Sequence, residues 1–310
     1  MMHMSGDCHA AKLRRNPEPA KNSVIGPASG NCLWQKAVTF PKALRMIRKL
    51  TVLLVFICSI TPSRAQQAQW KLVWSDEFNY TGLPDSTKWD YNVGGHGWGN
   101  NELQYYTKAR PANAWVAKGK LTITAVKEPY EGKAYTSARL VTRGKAEWQY
   151  GRIDVRARIP EGLGTWPAIW MLGATEPLKW PDDGEIDIME HVGFDPGRFH
   201  FSVHTKKYNH VIGTQKTTQT MIPDFRKNYH TYSVIWDAQQ VKLLVDGKEY
   251  FSFSNEHSGY EAWPFDNKMY LILNIAVGGN WGGQKGVDEK IWPRKMEVDW
   301  VRVYASTSKK

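Results

Sequence analysis

Polar and apolar residues alternate along several short stretches of this 310-residue chain. The clearest are residues 120–126 (KLTITAV), 152–159 (RIDVRARI) and 296–304 (MEVDWVRVY). Because successive side chains of a strand point to opposite faces, this alternation predicts β-strands with one buried face. Residues 269–277 (MYLILNIAV) are almost all apolar, which predicts a strand at the centre of a sheet.

The turns point to the same fold class. Residues 241–245 and 249–253 have the composition of strands, and the Asp246-Gly247 pair between them is typical of a tight hairpin turn. The chain has 26 glycines, and no segment carries a long apolar repeat of helical period. We therefore predict an all-β protein, built as an antiparallel β-sandwich in one domain.

The first 65 residues differ from the rest of the chain. Residues 46–49 (MIRK) form a basic head, residues 50–60 form an apolar run, and Ser63 and Ala65 are small residues ahead of a cleavage point. This order predicts a secretory signal peptide over residues 46–65, cleaved after Ala65. A transmembrane anchor is the alternative, but an anchor needs ~20 apolar residues.

Three segments follow from this interpretation. Residues 1–45 are expected to be an upstream extension outside the mature protein, residues 46–65 the signal peptide, and residues 66–310 the single mature domain. We expect a secreted monomer, either periplasmic or extracellular, with no membrane contact after cleavage of the signal peptide.

Charge and cysteine content exclude several functions. Residues 1–65 carry ten Lys and Arg against two acidic residues, a net +8 of the chain's +11, which leaves +3 for residues 66–310. A nucleic-acid partner is not expected, since phosphate binding requires a basic patch on the folded domain. Cys8, Cys32 and Cys58 all precede residue 66, so the mature protein has no disulfide and no thiol nucleophile.

Residues 184–190 (GEIDIME) place three carboxylates in an otherwise apolar strand. Acidic residues are depleted in strands, and like charges on one face repel. Glu185 and Asp187 share a face, whereas Glu190 would point to the core of a regular strand. One extra residue absorbed as a β-bulge, at Ile188 or Met189, would return Glu190 to the face of the other two.

Three carboxylates along one groove suit the cleavage of a glycosidic bond. In a double displacement one carboxylate attacks the anomeric carbon while a carboxylic acid protonates the leaving oxygen. Close carboxylates cannot all ionise easily, so one of them is expected to stay protonated and serve as the acid. The alternatives at this point are a solvated strand face or a cation site.

Residues 66–310 contain 14 tryptophans, more than a core of this size requires. Indole rings offer flat apolar faces to the C–H faces of sugars and an N–H to their hydroxyl groups. Trp166 and Trp170 share one face if extended, and Trp98 and Trp281 lie in Gly/Asn-rich loops typical of cleft rims.

Other aromatic side chains have simpler interpretations. Trp236 and Trp300 lie within regular strands and are expected in the core. His200 and His204 share a face, which suggests one histidine within the sheet and one at the groove edge, with a metal pair as the alternative. Neither a glycine-rich nucleotide-binding motif nor a GxSxG serine-hydrolase motif is present.

Together these motifs make the chain similar to glycoside hydrolase family 16, and within it to bacterial laminarinases, which are endo-β-1,3-glucanases. The resemblance extends over almost all of residues 66–310. The motifs that carry it are residues 74–78 (WSDEF), 101–106 (NELQYY), 138–140 (ARL), 150–152 (YGR), 166–171 (WPAIWM), 185–190 (EIDIME), 274–279 (NIAVGG) and 298–304 (VDWVRVY).

The resemblance implies a β-jelly roll whose concave face forms an open substrate cleft. It also implies a retaining mechanism without a catalytic cofactor, in which Glu185 is the nucleophile, Glu190 the acid/base and Asp187 the residue that assists them. The positions that match sugar-binding residues of the family are Trp166, Trp170, Asn101, Trp281, His204 and Arg139. This chain departs from the family where Thr205-Lys206 follows His204, since Tyr-Gly is usual there.

The resemblance also bears on a metal and on the substrate. Many members hold a structural calcium, and Glu77, Gly119 and Asp299 fall at the matching positions, where oxygen ligands would suit that ion. The spacing E-x-D-x-x-E resembles laminarinases, agarases and carrageenases rather than lichenases. A mild net charge favours neutral β-1,3-glucan over a sulfated galactan, with mixed-linkage β-1,3-1,4-glucan as a side activity.

Three alternatives to a glucan hydrolase stay open. A galactan-cleaving relative would share the fold and the carboxylates. A transglycosylase that remodels β-glucan would share every catalytic residue and differ only in how its cleft excludes water. A non-catalytic β-glucan recognition module would have the same fold, although such relatives typically lose one or both glutamates.

Overall fold

The computed structural model describes residues 70–307, which within that range form β-strands and one short 3₁₀ helix, His210–Ile212. The strands are β1 (Trp70–Asp76), β2 (Asp90–Tyr91), β3 (Gln104–Tyr106), β4 (Ala114–Ala117), β5 (Lys120–Tyr130), β6 (Lys133–Ser137), β7 (Arg139–Val141), β8 (Gly151–Arg158), β9 (Thr165–Gly173), β10 (Glu185–His191), β11 (Arg198–His204), β12 (Lys216–Met221), β13 (His230–Trp236), β14 (Gln240–Val245), β15 (Lys248–Ser254), β16 (Met269–Val277) and β17 (Arg294–Ser306).

These strands form two sheets. The larger sheet has the order β15-β14-β13-β8-β17-β5-β6-β3, with β1 beside β17 and β4 beside β5. The smaller sheet has the order β12-β11-β10-β9-β16-β7-β2. Neighbouring strands are antiparallel except for the short β3–β6 pair. The predicted all-β antiparallel sandwich, with the jelly-roll architecture that the resemblance implied, is therefore confirmed.

Strands and turns lie where the alternation predicted them. All nine residues of β16 are buried, and the strand lies between β9 and β7, as expected of an apolar central strand. The β14–β15 hairpin turns through Asp246 and Gly247, whose φ angles of 49° and 79° are both left-handed. A two-residue hairpin loop of this kind requires positive φ at both positions, which Asp-Gly supplies at low cost.

The core lies between the two sheets. Because side chains alternate along a strand, every second residue of β16 points to the core and the others point to the outer face of the smaller sheet. Leu271, Leu273 and Ile275 of β16 pack into the core. Ile272 and Asn274 alternate with them and therefore point to the outer face of the smaller sheet. That outer face carries the candidate site.

Of the two tryptophans expected in the core, the structure supports only one. Trp236 is 1% exposed, as predicted. The prediction for Trp300 is wrong, because its ring is half-buried with the guanidinium carbon of Arg302 4.1 Å from its centroid. The register of β17 against β8 shifts between Val298 and Trp300. This bulge sends the next inward position to Val301 and turns Trp300 outward.

The upstream extension and signal peptide predicted for residues 1–65 lie outside the described residues. Between residues 70 and 307, no helix has the length and apolar character needed to cross a membrane.

Candidate active site

A β-bulge in β10 brings three carboxylates to one face. Against β9, Asp187 pairs with Trp170 and Met189 with Ile169, so Ile188 lies opposite no residue of that strand. Ile188 and Met189 are both fully buried in the core. Glu190 therefore returns to the outer face with Glu185 and Asp187, as the bulge prediction required.

The turn before β10 depends on Gly184. Its φ of +83° is left-handed, and a Cβ at this position would lie 2.7 Å from Cγ of Pro264. A side chain here would strain the backbone and push the Pro264 loop aside. Gly184 thus allows β10 to begin with the carboxylate of Glu185 already at the edge of the cleft.

The three carboxylates line an open cleft of about 420 Å³ on the outer face of the smaller sheet. Its floor is formed by β9, β10 and β16, and its walls come from the loops 96–102 and 178–180 and from the 3₁₀ segment at His210 and Val211. The lining is mostly aromatic and apolar around a few polar groups, which is the usual character of a small-molecule or sugar site.

Burial raises the pKa of every carboxyl group in this set, and repulsion raises the pKa of the two glutamates further. Burial followed by the neighbouring charge of Asp187 raises the pKa of Glu185 to about 8. Burial also raises the pKa of Asp187 to about 7. Burial and the charges of the other two carboxylates raise the pKa of Glu190 well above its ordinary value. Hence the three groups cannot all be ionised together at neutral pH, and Glu190 is well suited to hold and donate the proton.

Each glutamate accepts a hydrogen bond from a different tryptophan. The indole N–H of Trp180 donates to Oε2 of Glu185 at 2.7 Å. The indole N–H of Trp166 donates to Oε1 of Glu190 at 3.0 Å. Both bonds favour the charged carboxylate, so each lowers the pKa of its glutamate against the larger effect of burial.

The two histidines of β11 have different surroundings. Nε2 of His204 lies 3.2 Å from Oδ2 of Asp187 and 3.9 Å from Oε1 of Glu185. The ring of His200 lies against Trp281, with the centroids 4.8 Å apart. His204 therefore belongs to the carboxylate cluster, while His200 is half-buried at the groove edge.

Of the predicted tryptophans, Trp98, Trp166 and Trp170 line the cleft with Arg139, while Trp281 lies behind Trp166. Trp166 meets Trp281 edge-on at 5.4 Å between centroids. The guanidinium of Arg139 lies between Trp98 and Trp170, with its central carbon 4.7 Å and 4.6 Å from the two ring centroids. Stacking of this kind fixes the planar guanidinium and both indole faces in one arrangement.

Asn101 is placed differently from the other predicted sugar-binding residues. Its side chain is exposed and donates to Oδ1 of Asn280 at 2.9 Å. Asn100 and Glu102, its neighbours in sequence, line the cleft in its stead. The left-handed φ of 54° at Asn101 turns its side chain away from theirs.

Sequence reasoning did not single out a buried polar network beneath Trp170. The Trp170 indole N–H donates to Oδ1 of Asn274 at 2.7 Å, and the Asn274 amide donates to the Tyr106 hydroxyl at 2.9 Å. That hydroxyl in turn contacts Oε2 of Glu102 at 3.3 Å. A glutamate that is only 6% exposed is rare without such partners. Asn274, a polar residue inside the otherwise apolar β16, was the feature of the sequence that could have indicated this network.

Trp180 was also missed. It lies in a loop of residues 174–184, without a strand pattern to relate it to Glu185. Only the fold brings its indole N–H to the carboxylate.

The predicted calcium residues do not form a side-chain site as they stand. Glu77 accepts two hydrogen bonds from Arg302, at 3.0 and 2.9 Å, and Asp299 is paired with Arg156. Gly119 lies in the turn between β4 and β5 and can offer only its carbonyl oxygen. A cation there would have to displace an arginine or use backbone oxygens, so calcium stays a prediction.

The sandwich and the carboxylate cleft define a class: an enzyme that cleaves glycosidic bonds on the open face of a β-sheet. The chain belongs to Glycosyl hydrolases family 16, whose family profile matches residues 96–302. It is therefore a glycoside hydrolase, as the sequence motifs predicted.

Individual proteins similar to this chain include enzymes of the same family. A beta-glucanase of Rhodothermus marinus is 54% identical over 275 residues, which cover 85% of this chain and 96% of the relative. The X-ray structure of the laminarinase from Rhodothermus marinus superposes with a TM-score of 0.77 at 54% identity and covers 78% of this chain and 100% of that one. SCLam, a non-specific endo-β-1,3(4)-glucanase from family GH16, has a TM-score of 0.74 at 49% identity and covers 77% of this chain and 92% of that one.

Proposed function

We propose that this protein is a retaining endo-glycosidase that hydrolyses β-1,3-glucan, with mixed-linkage β-1,3-1,4-glucan as a side activity. The observation that carries the proposal is the bulge at Ile188, which brings Glu185, Asp187 and Glu190 together in an aromatic cleft. The names of the similar proteins, a beta-glucanase, a laminarinase and an endo-β-1,3(4)-glucanase, support the substrate class.

In the proposed reaction Glu185 is the nucleophile. Its carboxylate attacks the anomeric carbon and forms a glycosyl ester, while Glu190 gives a proton to the departing glycosidic oxygen. Glu190 then takes a proton from water, which attacks the same carbon and releases Glu185. The two inversions restore the β configuration.

Asp187 is proposed to control the charge between the two glutamates. It is 2% exposed, lies between them on the strand, and has Nε2 of His204 3.2 Å from its Oδ2. A proton held by Asp187 spares Glu185 a second negative neighbour, and its release stabilises the acid form of Glu190 by repulsion.

The walls fit a neutral polysaccharide. Trp98, Trp166 and Trp170 offer apolar faces for sugar rings, while Arg139, Asn100 and Asn274 offer polar groups for hydroxyls. Endo action is proposed because an open cleft gives a polymer chain room to lie across the three carboxylates. Binding of β-glucan therefore needs no cofactor in this proposal.

Reducing-sugar release from laminarin, barley mixed-linkage glucan, agarose and κ-carrageenan tests the proposal, with products separated by size. We expect short oligosaccharides from laminarin, fewer from barley glucan and none from the galactans. Cleavage of a galactan alone would overturn the substrate, and binding without cleavage would indicate a recognition module. Transfer products that outnumber hydrolysis products would indicate a transglycosylase.

The roles of the two glutamates need a separate test. Glu185→Ala should abolish hydrolysis with the fold retained, and azide should then give an α-glycosyl azide. Glu190→Ala with azide should give the β-glycosyl azide, since the nucleophile still acts. The opposite anomers would reverse the assignment.

Two further parts of the proposal concern secretion and calcium. N-terminal sequencing of protein from the medium or periplasm should begin at Gln66, which would support export and cleavage of the signal peptide. Chelation of a calcium ion at Glu77, Gly119 and Asp299 should lower the melting temperature. An unchanged melting temperature would contradict the proposal of a bound calcium ion.

A further inference from the structure

The carboxylate cluster also has the geometry of a metal site. Nε2 of His204 and one oxygen each from Glu185 and Asp187 all lie within 4.8 Å of one another. Among the described residues this is the one set of three or more such side chains that could hold a metal ion. It combines an imidazole with two carboxylates, a donor set that first-row transition ions accept more readily than calcium or magnesium do.

One ligand atom is left available by the surrounding structure. Asp187 is 2% exposed, and its Oδ2 accepts no hydrogen bond of good geometry from any described residue, although His204 is near. A buried carboxylate oxygen without a donor is costly. A cation at this point would satisfy it.

The distances require little rearrangement. Ligands at ~2.0–2.2 Å from a tetrahedral zinc ion stand about 3.3–3.6 Å apart. Nε2 of His204 and Oδ2 of Asp187 are 3.2 Å apart already, and Oε1 of Glu185 is 3.9 Å from the same nitrogen. Glu185 can offer Oε1 while Oε2 keeps its hydrogen bond from Trp180.

A fourth ligand position faces the cleft. The ring of His210 lies 5.2 Å from the ring of His204 between centroids, and His210 lines the same cleft. Either His210 or a water molecule can complete the coordination shell. In zinc proteins, three protein ligands with an open fourth position are typical of catalytic sites, whereas structural sites are closed by four protein ligands.

We propose that Glu185, Asp187 and His204 form a reversible binding site for Zn²⁺ or a similar transition ion, which competes with the polysaccharide. The metal-binding part of the proposal is argued from the three ligand side chains and does not depend on the proposed function. The inhibition that accompanies it rests on the proposed function, because the ion would occupy Glu185 and the floor of the cleft.

Binding is measured on the full mature protein with Co²⁺ and Zn²⁺ as the probes. Titration with Co²⁺ should give visible absorption bands of a four- or five-coordinate ion at one equivalent, and Zn²⁺ should displace them. His204→Asn, which removes the imidazole at similar size, should weaken Co²⁺ binding at least tenfold. Glu185→Ala should weaken it as well, and thermal melts show that each variant is folded.

His257→Asn is the matched control. His257 is an exposed turn residue outside the cleft, and asparagine tolerates its left-handed φ of 54°. This variant should bind Co²⁺ and hydrolyse glucan like the unchanged protein. Equal Co²⁺ binding by the His204→Asn variant, or no stoichiometric binding by the unchanged protein, would overturn the site.

Competition separates the two parts. Laminari-oligosaccharides should displace Co²⁺, and Zn²⁺ should raise KM for laminarin without lowering kcat. The protein could bind Co²⁺ tightly through His204 and yet cleave no glucan. That result would support the metal site and contradict the proposed function. If Zn²⁺ binds without affecting hydrolysis, the ion does not compete with the polysaccharide, and that part of the proposal is wrong.

Discussion

The indole N–H of Trp180 donates to Oε2 of Glu185 at 2.7 Å, although the two side chains come from different elements. Trp166 makes the corresponding bond to Glu190 from the adjacent strand. Each glutamate thus has one tryptophan donor that favours its ionised form. This symmetry allows the two roles to be separated by pH.

Trp180→Phe keeps the ring and removes the donor to Glu185. The pKa of Glu185 should rise, because the hydrogen bond lowers it. A nucleophile must be ionised, so the acidic limb of the kcat/KM profile should move to higher pH by about half a unit to one unit. Activity near neutral pH should fall about three- to tenfold, because below the pKa the ionised fraction of Glu185 falls tenfold for each unit by which the pKa rises. Trp115→Phe, on the other sheet, is the control and should change neither quantity.

Trp166→Phe should affect the opposite limb. The bond from Trp166 lowers the pKa of Glu190, so its loss should raise that pKa further. An acid must be protonated, and the alkaline limb should therefore move to higher pH while the acidic limb stays in place. pH profiles of both variants on laminarin check this. A shift of the acidic limb in the Trp166 variant would mean that the roles of Glu185 and Glu190 are reversed.

The carboxylate cluster should make stability depend on pH. The pKa values of Glu185 and Asp187, about 8 and about 7, lie above those of an unfolded chain. The folded protein then binds protons that the unfolded chain releases, so the free energy of unfolding should fall as the pH rises from ~4.5 to 8. Denaturant melts at pH 5 and pH 8 measure this difference.

The same melts on Glu185→Gln identify its source. The amide carries no proton to release, so the decrease between the two pH values should shrink by about 3–4 kcal/mol, on a scale of ~1.4 kcal/mol per pKa unit. An unchanged decrease would place the effect elsewhere in the protein.

Arg139 should govern substrate binding more than chemistry. Its guanidinium is stacked between Trp98 and Trp170, and lysine cannot reproduce a planar stack. Arg139→Lys should raise KM for laminarin about tenfold, which corresponds to the ~1–2 kcal/mol of desolvated cation–π contact, with kcat nearly unchanged. Arg143→Lys is the control, since Arg143 packs on Tyr270 outside the cleft lining. A fall in kcat with KM unchanged would contradict the binding role.

The fold class was readable from local pattern, because the two-residue strand period and the hairpin turn are properties of neighbouring residues. Residues 269–277 and the Asp246-Gly247 turn behave as their composition predicts. The bulge at Ile188 was also predictable, since the spacing of Asp187 and Glu190 conflicts with a single face. Trp300 was misplaced because a similar bulge in β17 leaves no such conflict in the sequence.

The sequence by itself determined the chemistry of β10: three carboxylates, their order, and the residue between them that must leave the ladder. Tertiary structure alone decided what surrounds them, because those partners lie in other strands and loops. Trp180 reaches Glu185 from a loop, and Glu102 and Asn274 both contact the Tyr106 hydroxyl beneath Trp170 from distant parts of the chain. Asn101 has a left-handed backbone, and its side chain pairs with Asn280 instead of lining the cleft. Contacts of this kind depend on how strands align in space, which no local pattern of side chains encodes.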